Sequence, residues 1–151
     1  MIRRVLVLVA ALPILATFAP LSAGDAQAAA PAAPAAPAQK AEIFFREPAN
    51  GATVSSPVTV VFGLRNYGVA PAGINVTNTG HFHVIVDGQV PAAGVVIPPN
   101  DSINRHFGTG VIETKLTLTP GKHTLRLVLG DFEHKVINAD LVSAPITITV
   151  K

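Results

Sequence analysis

The stretch Gly80-His81-Phe82-His83-Val84-Ile85-Val86-Asp87-Gly88 decides how the rest of the chain is read. Phe82, Val84 and Val86 alternate with His81, His83, Ile85 and Asp87, and a glycine bounds each end. Such a period of two is the pattern of a half-buried β-strand. With the phenylalanine and valines facing inward, His81 and His83 share the opposite face, roughly 7 Å apart along the backbone. Two imidazoles two residues apart on a stiff strand can grip one metal ion with little ordering cost. Equally, they can belong to a polar strand face with no ligand role.

Outward from that strand, the same alternation recurs between turn signals. Glu42 to Arg46 reads as a first strand, followed by the turn Pro48-Ala49-Asn50-Gly51. Val58, Val60, Phe62 and Leu64 alternate in a second strand that starts at Pro57, where a missing amide is tolerated. Gly80 to Asp87 is the third and Gly94 to Ile97 a short fourth. Ile112, Thr114, Leu116 and Leu118 mark a fifth, and Leu125, Leu127 and Leu129 a sixth beyond the turn Thr119-Pro120-Gly121. Ile146, Ile148 and Val150 mark the last. No segment keeps a period of 3.6. About seven short strands in one domain predict an antiparallel immunoglobulin-like β-sandwich, with Val60, Phe62, Phe82, Val84, Leu116, Leu125, Leu127 and Ile148 in its core.

The ends of the chain read differently. Met1-Ile2-Arg3-Arg4 is a basic start, Val5 to Leu15 a short apolar run, and Ala26-Gln27-Ala28 an A-x-A cleavage site. This is the layout of a secretory signal peptide, residues 1–28, and it predicts a periplasmic or secreted protein. Residues 29–41 repeat alanine and proline, which favours an extended, semi-rigid linker. The β-sandwich domain is then residues 42–151, with no membrane span left once the signal is removed.

Composition narrows the chemistry. The 151 residues are 49% hydrophobic and 13% charged, enough for one folded domain. Removing Arg3, Arg4 and Asp25 with the signal leaves the remainder close to neutral, with no basic run and few aromatics, so nothing points to nucleic acid. With 0 cysteines, disulfides, thiolate ligands and thiolate catalysis are all excluded, and any metal site must use nitrogen and oxygen donors. There is no phosphate-cradling glycine loop and no Gly-x-Ser-x-Gly elbow. No nucleophile or acid/base constellation marks the chain as an enzyme.

The 5 histidines carry the remaining signal. In a seven-stranded sandwich alternate loops gather at one end. That brings together His81 and His83, His106 in the long connection Pro98 to Gly110, and Asp131 and His134 after the sixth strand. His123 begins the sixth strand at the other end, which makes it structural or a partner for Asp87. The expected metal ligands are therefore His81, His83, His106 and His134, with Asp131 orienting a ring, and copper or zinc as the ion. Binding by ordinary imidazoles should weaken as pH falls through about 6.5. Two other readings stand beside this one: a structural or pH-responsive clasp, and a coordinated ion with an open position for chemistry. If the domain is instead an interaction module for an unknown protein or small molecule, the loop Asn66 to Thr79 supplies the surface through Tyr67, Val69 and Pro71. The sequence names neither partner nor oligomeric state.

Five separated motifs also occur in a familiar order. Pro48, Asn50-Gly51-Ala52, Val54, Ser56-Pro57 and Phe62-Gly63 open the series, and Gly68-Val69-Ala70-Pro71-Ala72-Gly73 follows. Then come Thr79-Gly80-His81-Phe82-His83, His106-Phe107-Gly108-Thr109-Gly110 with Glu113, and Pro120-Gly121-Lys122-His123-Thr124-Leu125 running to Gly130-Asp131 and His134. In these the chain resembles the exported, uncharacterised family catalogued as domain of unknown function 4399. Phe82 stands where that family has the central histidine of a triplet. The resemblance implies an all-β exported domain and supplies no established activity.

Overall fold

The computed structural model describes residues 39–151, all within one compact unit. The expected signal peptide and most of the expected linker lie outside the described residues. Nine strands follow in order: β1 (Glu42–Glu47), β2 (Thr53–Val54), β3 (Val58–Arg65), β4 (Gly68–Val69), β5 (Thr79–Val86), β6 (Asn104–Phe107), β7 (Glu113–Leu116), β8 (Gly121–Gly130) and β9 (Ile146–Val150). A single 3-10 turn, Ala139–Leu141, interrupts them, capped by the Asn138 side chain, which accepts from the amides of Asp140 and Leu141. No described helix is long and apolar enough to cross a membrane.

The strands form two sheets, β1-β3-β7 and β2-β9-β8-β5-β4, with β6 also paired to β5. The arrangement is all-β and sandwich-like, and its central pairings are antiparallel. Taken in chain order, β1-β3-β7 facing β9-β8-β5 has the strand order of an immunoglobulin-type sandwich. Strand alternation builds the core as expected: Val60, Phe62, Phe82, Val84, Leu116, Leu125, Leu127 and Ile148 all fall in one buried cluster. Phe62 anchors it with its ring 4.7 Å from that of Phe82 and 5.2 Å from that of Phe107.

Two expectations are corrected here. The fourth strand does not lie at Gly94 to Ile97. That segment is a turn, with Gly94 at φ 77° and the Val95 amide donating to the Ala92 carbonyl, and it is tied to the chain at 134–136 by an isolated bridge from Val96 to Lys135 and by the Gly94 amide donating to the Val136 carbonyl. The following Pro98-Pro99 removes two amides that a ladder would need. The strand beside β5 is instead β6, inside the stretch read as a long loop. Asn104 and His106 take one side of it and Arg105 and Phe107 the other, so apolar alternation never marks it.

The second correction concerns β5. Its far face does not meet solvent: His81 is 0% exposed and His83 1%. The chain at 94–97 and 130–142 folds over that face, and Ile85, Ile97, Val128 and Val136 close into a second apolar cluster. β5 is thus buried on both sides. The loop before it differs in part: Pro71 is exposed as expected, but Tyr67 and Val69 are half-buried and packed on the main core, and Ile74 and Val76 are exposed instead.

Candidate metal centre

Three elements deliver four imidazoles to one place. β5 supplies His81 and His83 on its covered face. β6 supplies His106, directly opposite His83 in the antiparallel register. The tight return after β8 supplies His134. Every pair of the four rings has centroids between 4.8 and 5.9 Å apart.

The local sequence explains each placement. Asn100 accepts the His106 backbone N–H through Oδ1 at 3.1 Å, tying the start of the loop to β6. Asp101 caps the turn between them, its Oδ1 accepting from the amides of Ile103 and Asn104. Asp131 holds the other loop: its Oδ1 accepts from the amides of Glu133 at 2.9 Å and Lys135 at 2.8 Å. His134 sits in that turn at φ 66°, a left-handed conformation, and its carbonyl accepts from Ile97 N–H. The hydrogen bonds of the Asp131 carboxylate therefore run to backbone amides, and it shapes the turn that carries His134.

Two glycines make room for the rings. A Cβ on Gly130 would lie 3.0 Å from His83 Nε2, and one on Gly108 would lie 2.5 Å from His106 Nε2. Neither glycine, nor Asn100, announces such a role in the sequence. Gly130 and Gly108 read as turn glycines, and Asn100 as one polar residue among several.

The electrostatics favour neutral imidazoles. Burial, reinforced by the neighbouring histidines, lowers the His81 pKa to about 4, while the Asp131 charge pulls weakly the other way. Burial and the same neighbours bring His83 down to about 3. His106 is lowered as well, by burial and then by His134. A neutral imidazole has one nitrogen lone pair free to bind a metal, so these rings need lose no proton near pH 7. The expectation of a transition near pH 6.5 is thus displaced to lower pH for the buried pair.

The donor atoms also fit an ion. One nitrogen from each of His81, His83 and His106 lies within 4.8 Å of the others. Nε2 of His81 and Nε2 of His83 are 3.0 Å apart, one N–H donating to the other's bare nitrogen. Two nitrogens on a tetrahedral zinc with bonds of about 2.05 Å stand about 3.3 Å apart, so the pair needs to open only slightly. Among the described residues, Nδ1 of His81, Nδ1 of His83 and Nε2 of His106 are buried with no hydrogen-bond partner. Leaving a buried polar atom unpaired costs about 1–3 kcal/mol; an ion on the Nε2 pair of His81 and His83 could relieve Nε2 of His106 but leaves the two Nδ1 atoms as they are. The three histidines could hold a metal ion. His134 stands beside them, its ring 4.8 Å from that of His81.

His123 is elsewhere and does other work. Its Nδ1 lies 2.7 Å from Asp87 Oδ2 and its Nε2 2.9 Å from the Thr119 carbonyl. Asp87 also accepts the Thr124 amide through Oδ1. The partnership with Asp87 staples the end of β5 to the start of β8, away from the four clustered rings.

Comparison with known proteins found no match among curated proteins and none among solved structures. Residues 60–151 match the family model described as Domain of unknown function (DUF4399), a span that includes all four clustered histidines. This chain belongs to the DUF4399 family.

Proposed function

We propose that this is an exported domain that binds a divalent transition metal, copper or zinc, through His81, His83 and His106, with His134 available as a fourth ligand. The observation that carries the reading is the set of three imidazole nitrogens within 4.8 Å of one another, two on the buried rings of His81 and His83 and one on the half-buried His106. All-nitrogen ligation suits copper and zinc, and copper binds such sites more tightly. β5 fixes two ligands and β6 a third, so the ion orders little beyond the His134 turn. Asp131 supports the site by holding that turn. Export is read from the basic start, apolar run and A-x-A site at 1–28, with the Ala/Pro linker as spacer.

A second reading keeps the same residues without an ion. The bond of 3.0 Å between the Nε2 atoms of His81 and His83 favours a clasp of neutral imidazoles inside a non-catalytic periplasmic interaction module. Metal titration of untagged domain separates the two: saturable uptake that is lost on replacing His81 and His83 supports the centre, and its absence leaves the clasp.

A further inference from the structure

Resting on the metal reading, we infer that the centre takes a small carboxylate with a short apolar tail as an additional ligand to the ion. The first ground is charge. Imidazoles are neutral, so three or four of them leave both positive charges of a divalent ion uncancelled in a buried place, which is costly. The protein carboxylates beside the cluster make no contact with the rings: Asp131 Oδ1 accepts from the amides of Glu133 and Lys135, and Glu133 Oε2 from Lys135 Nζ at 2.8 Å. The Asp131 charge, which pulls only weakly on His81, offsets part of the excess from outside, and an external anion on the ion completes the balance.

The second ground is space. A pocket of about 390 Å³ opens onto His83, His106 and His134. Its other walls include Ile97, Pro98 and Pro99, whose surface is apolar. A cavity of that size is at the small end for organic ligands, and it offers a hydrocarbon tail a dry surface while the head reaches the imidazoles. Glu133 also lines it. A carboxylate there disfavours a second negative group, so the ion and not the pocket rim must supply the attraction.

The test uses the whole exported domain loaded with Co(II), whose visible absorption reports its ligands. Butyrate, acetate, inorganic phosphate and neutral butyramide are titrated in turn. Butyrate is expected to change the Co(II) spectrum saturably and to bind about fifteenfold more tightly than acetate, because each of its two further methylenes, when buried, contributes roughly a factor of four. Butyramide and phosphate are expected to leave it unchanged. Glu133→Gln is expected to retain Co(II) and to bind butyrate several-fold more tightly. Equal binding of acetate and butyrate, or a phosphate response as strong, overturns the tail-bearing carboxylate while leaving the metal centre standing. Loss of Co(II) from Glu133→Gln overturns it differently, by showing that Glu133 is itself the balancing anion. Failure of the unmodified domain to take up Co(II) removes the centre and this ligand together.

Discussion

His106 stands directly opposite His83 across the β5–β6 ladder, with ring centroids 5.0 Å apart. The relationship makes a group of three histidines that could hold a metal ion out of what would otherwise be a histidine pair on one strand. An H-x-H strand fixes two ligands; a third from the neighbouring strand closes the set without a long loop to order.

Gly130 is the first place to test that geometry. A Cβ there would meet His83 Nε2 at 3.0 Å, so the ring must shift. Gly130→Ala is expected to weaken copper or zinc binding about tenfold or more and to cost roughly 1–3 kcal/mol of stability from overpacking. Calorimetric titration and chemical denaturation of the variant read the two effects separately. Unchanged metal affinity would show that the His83 ring does not ligate in the position seen.

The core prediction is independent of any metal. Leu127 is fully buried in the main cluster. Leu127→Ala should destabilise the domain by roughly 2–5 kcal/mol, read from the denaturation midpoint in the presence of a chelator. A cost well under 1 kcal/mol would contradict the packing of the Leu127 side chain in the main core.

Acid should destabilise the metal-free domain through His81 and His83. Their folded pKa values, about 4 and about 3, lie below the unfolded value of about 6.5. The unfolded chain therefore binds more protons between those limits, and stability falls as pH drops from about 6.5 toward the folded values. Saturating zinc or copper should protect the fold over much of that window, because the ion competes with the proton for the same lone pairs. Denaturation curves at a series of pH values, with and without metal, check both statements.

His123 works with the opposite sign. The hydrogen bond to Asp87 comes first among the causes that raise its pKa, followed by that to the Thr119 carbonyl. Its contribution is fully present below about 6.5 and is lost as pH rises through the raised folded value. His123→Ala should therefore remove a stabilising limb on the acid side that the unmodified domain shows and flatten the alkaline decline. A pH-stability profile unaltered by the substitution would contradict the pairing.

Strand alternation made the sandwich legible, because Val60, Phe62, Phe82, Leu125 and Leu127 all point one way along their strands. It made the convergence of the histidines legible too, since loop ends follow from strand direction. What alternation could not reveal was β6: Asn104-Arg105-His106-Phe107 holds one apolar residue, and its pairing is dictated by β5 next to it. The burial of His81 and His83 was hidden for a related reason. It depends on Ile97 and Val136, which come from irregular chain folded over the sheet and carry no periodic signal. Asp131 was legible as a neighbour of the site, while its bonds to the turn amides were not, because a carboxylate beside a glycine serves turn amides as readily as an imidazole.

The most direct test of the metal centre is calorimetric titration of the untagged domain with copper and zinc at neutral pH. One saturable equivalent is expected, with copper the tighter ion. Joint replacement of His81 and His83 by alanine should abolish it. Half-exposed His106→Ala, which disturbs the core less, should weaken it strongly, and His123→Ala should leave it unchanged. A flat titration of the unmodified domain, or a loss from His123→Ala equal to that of the double replacement, would contradict the account.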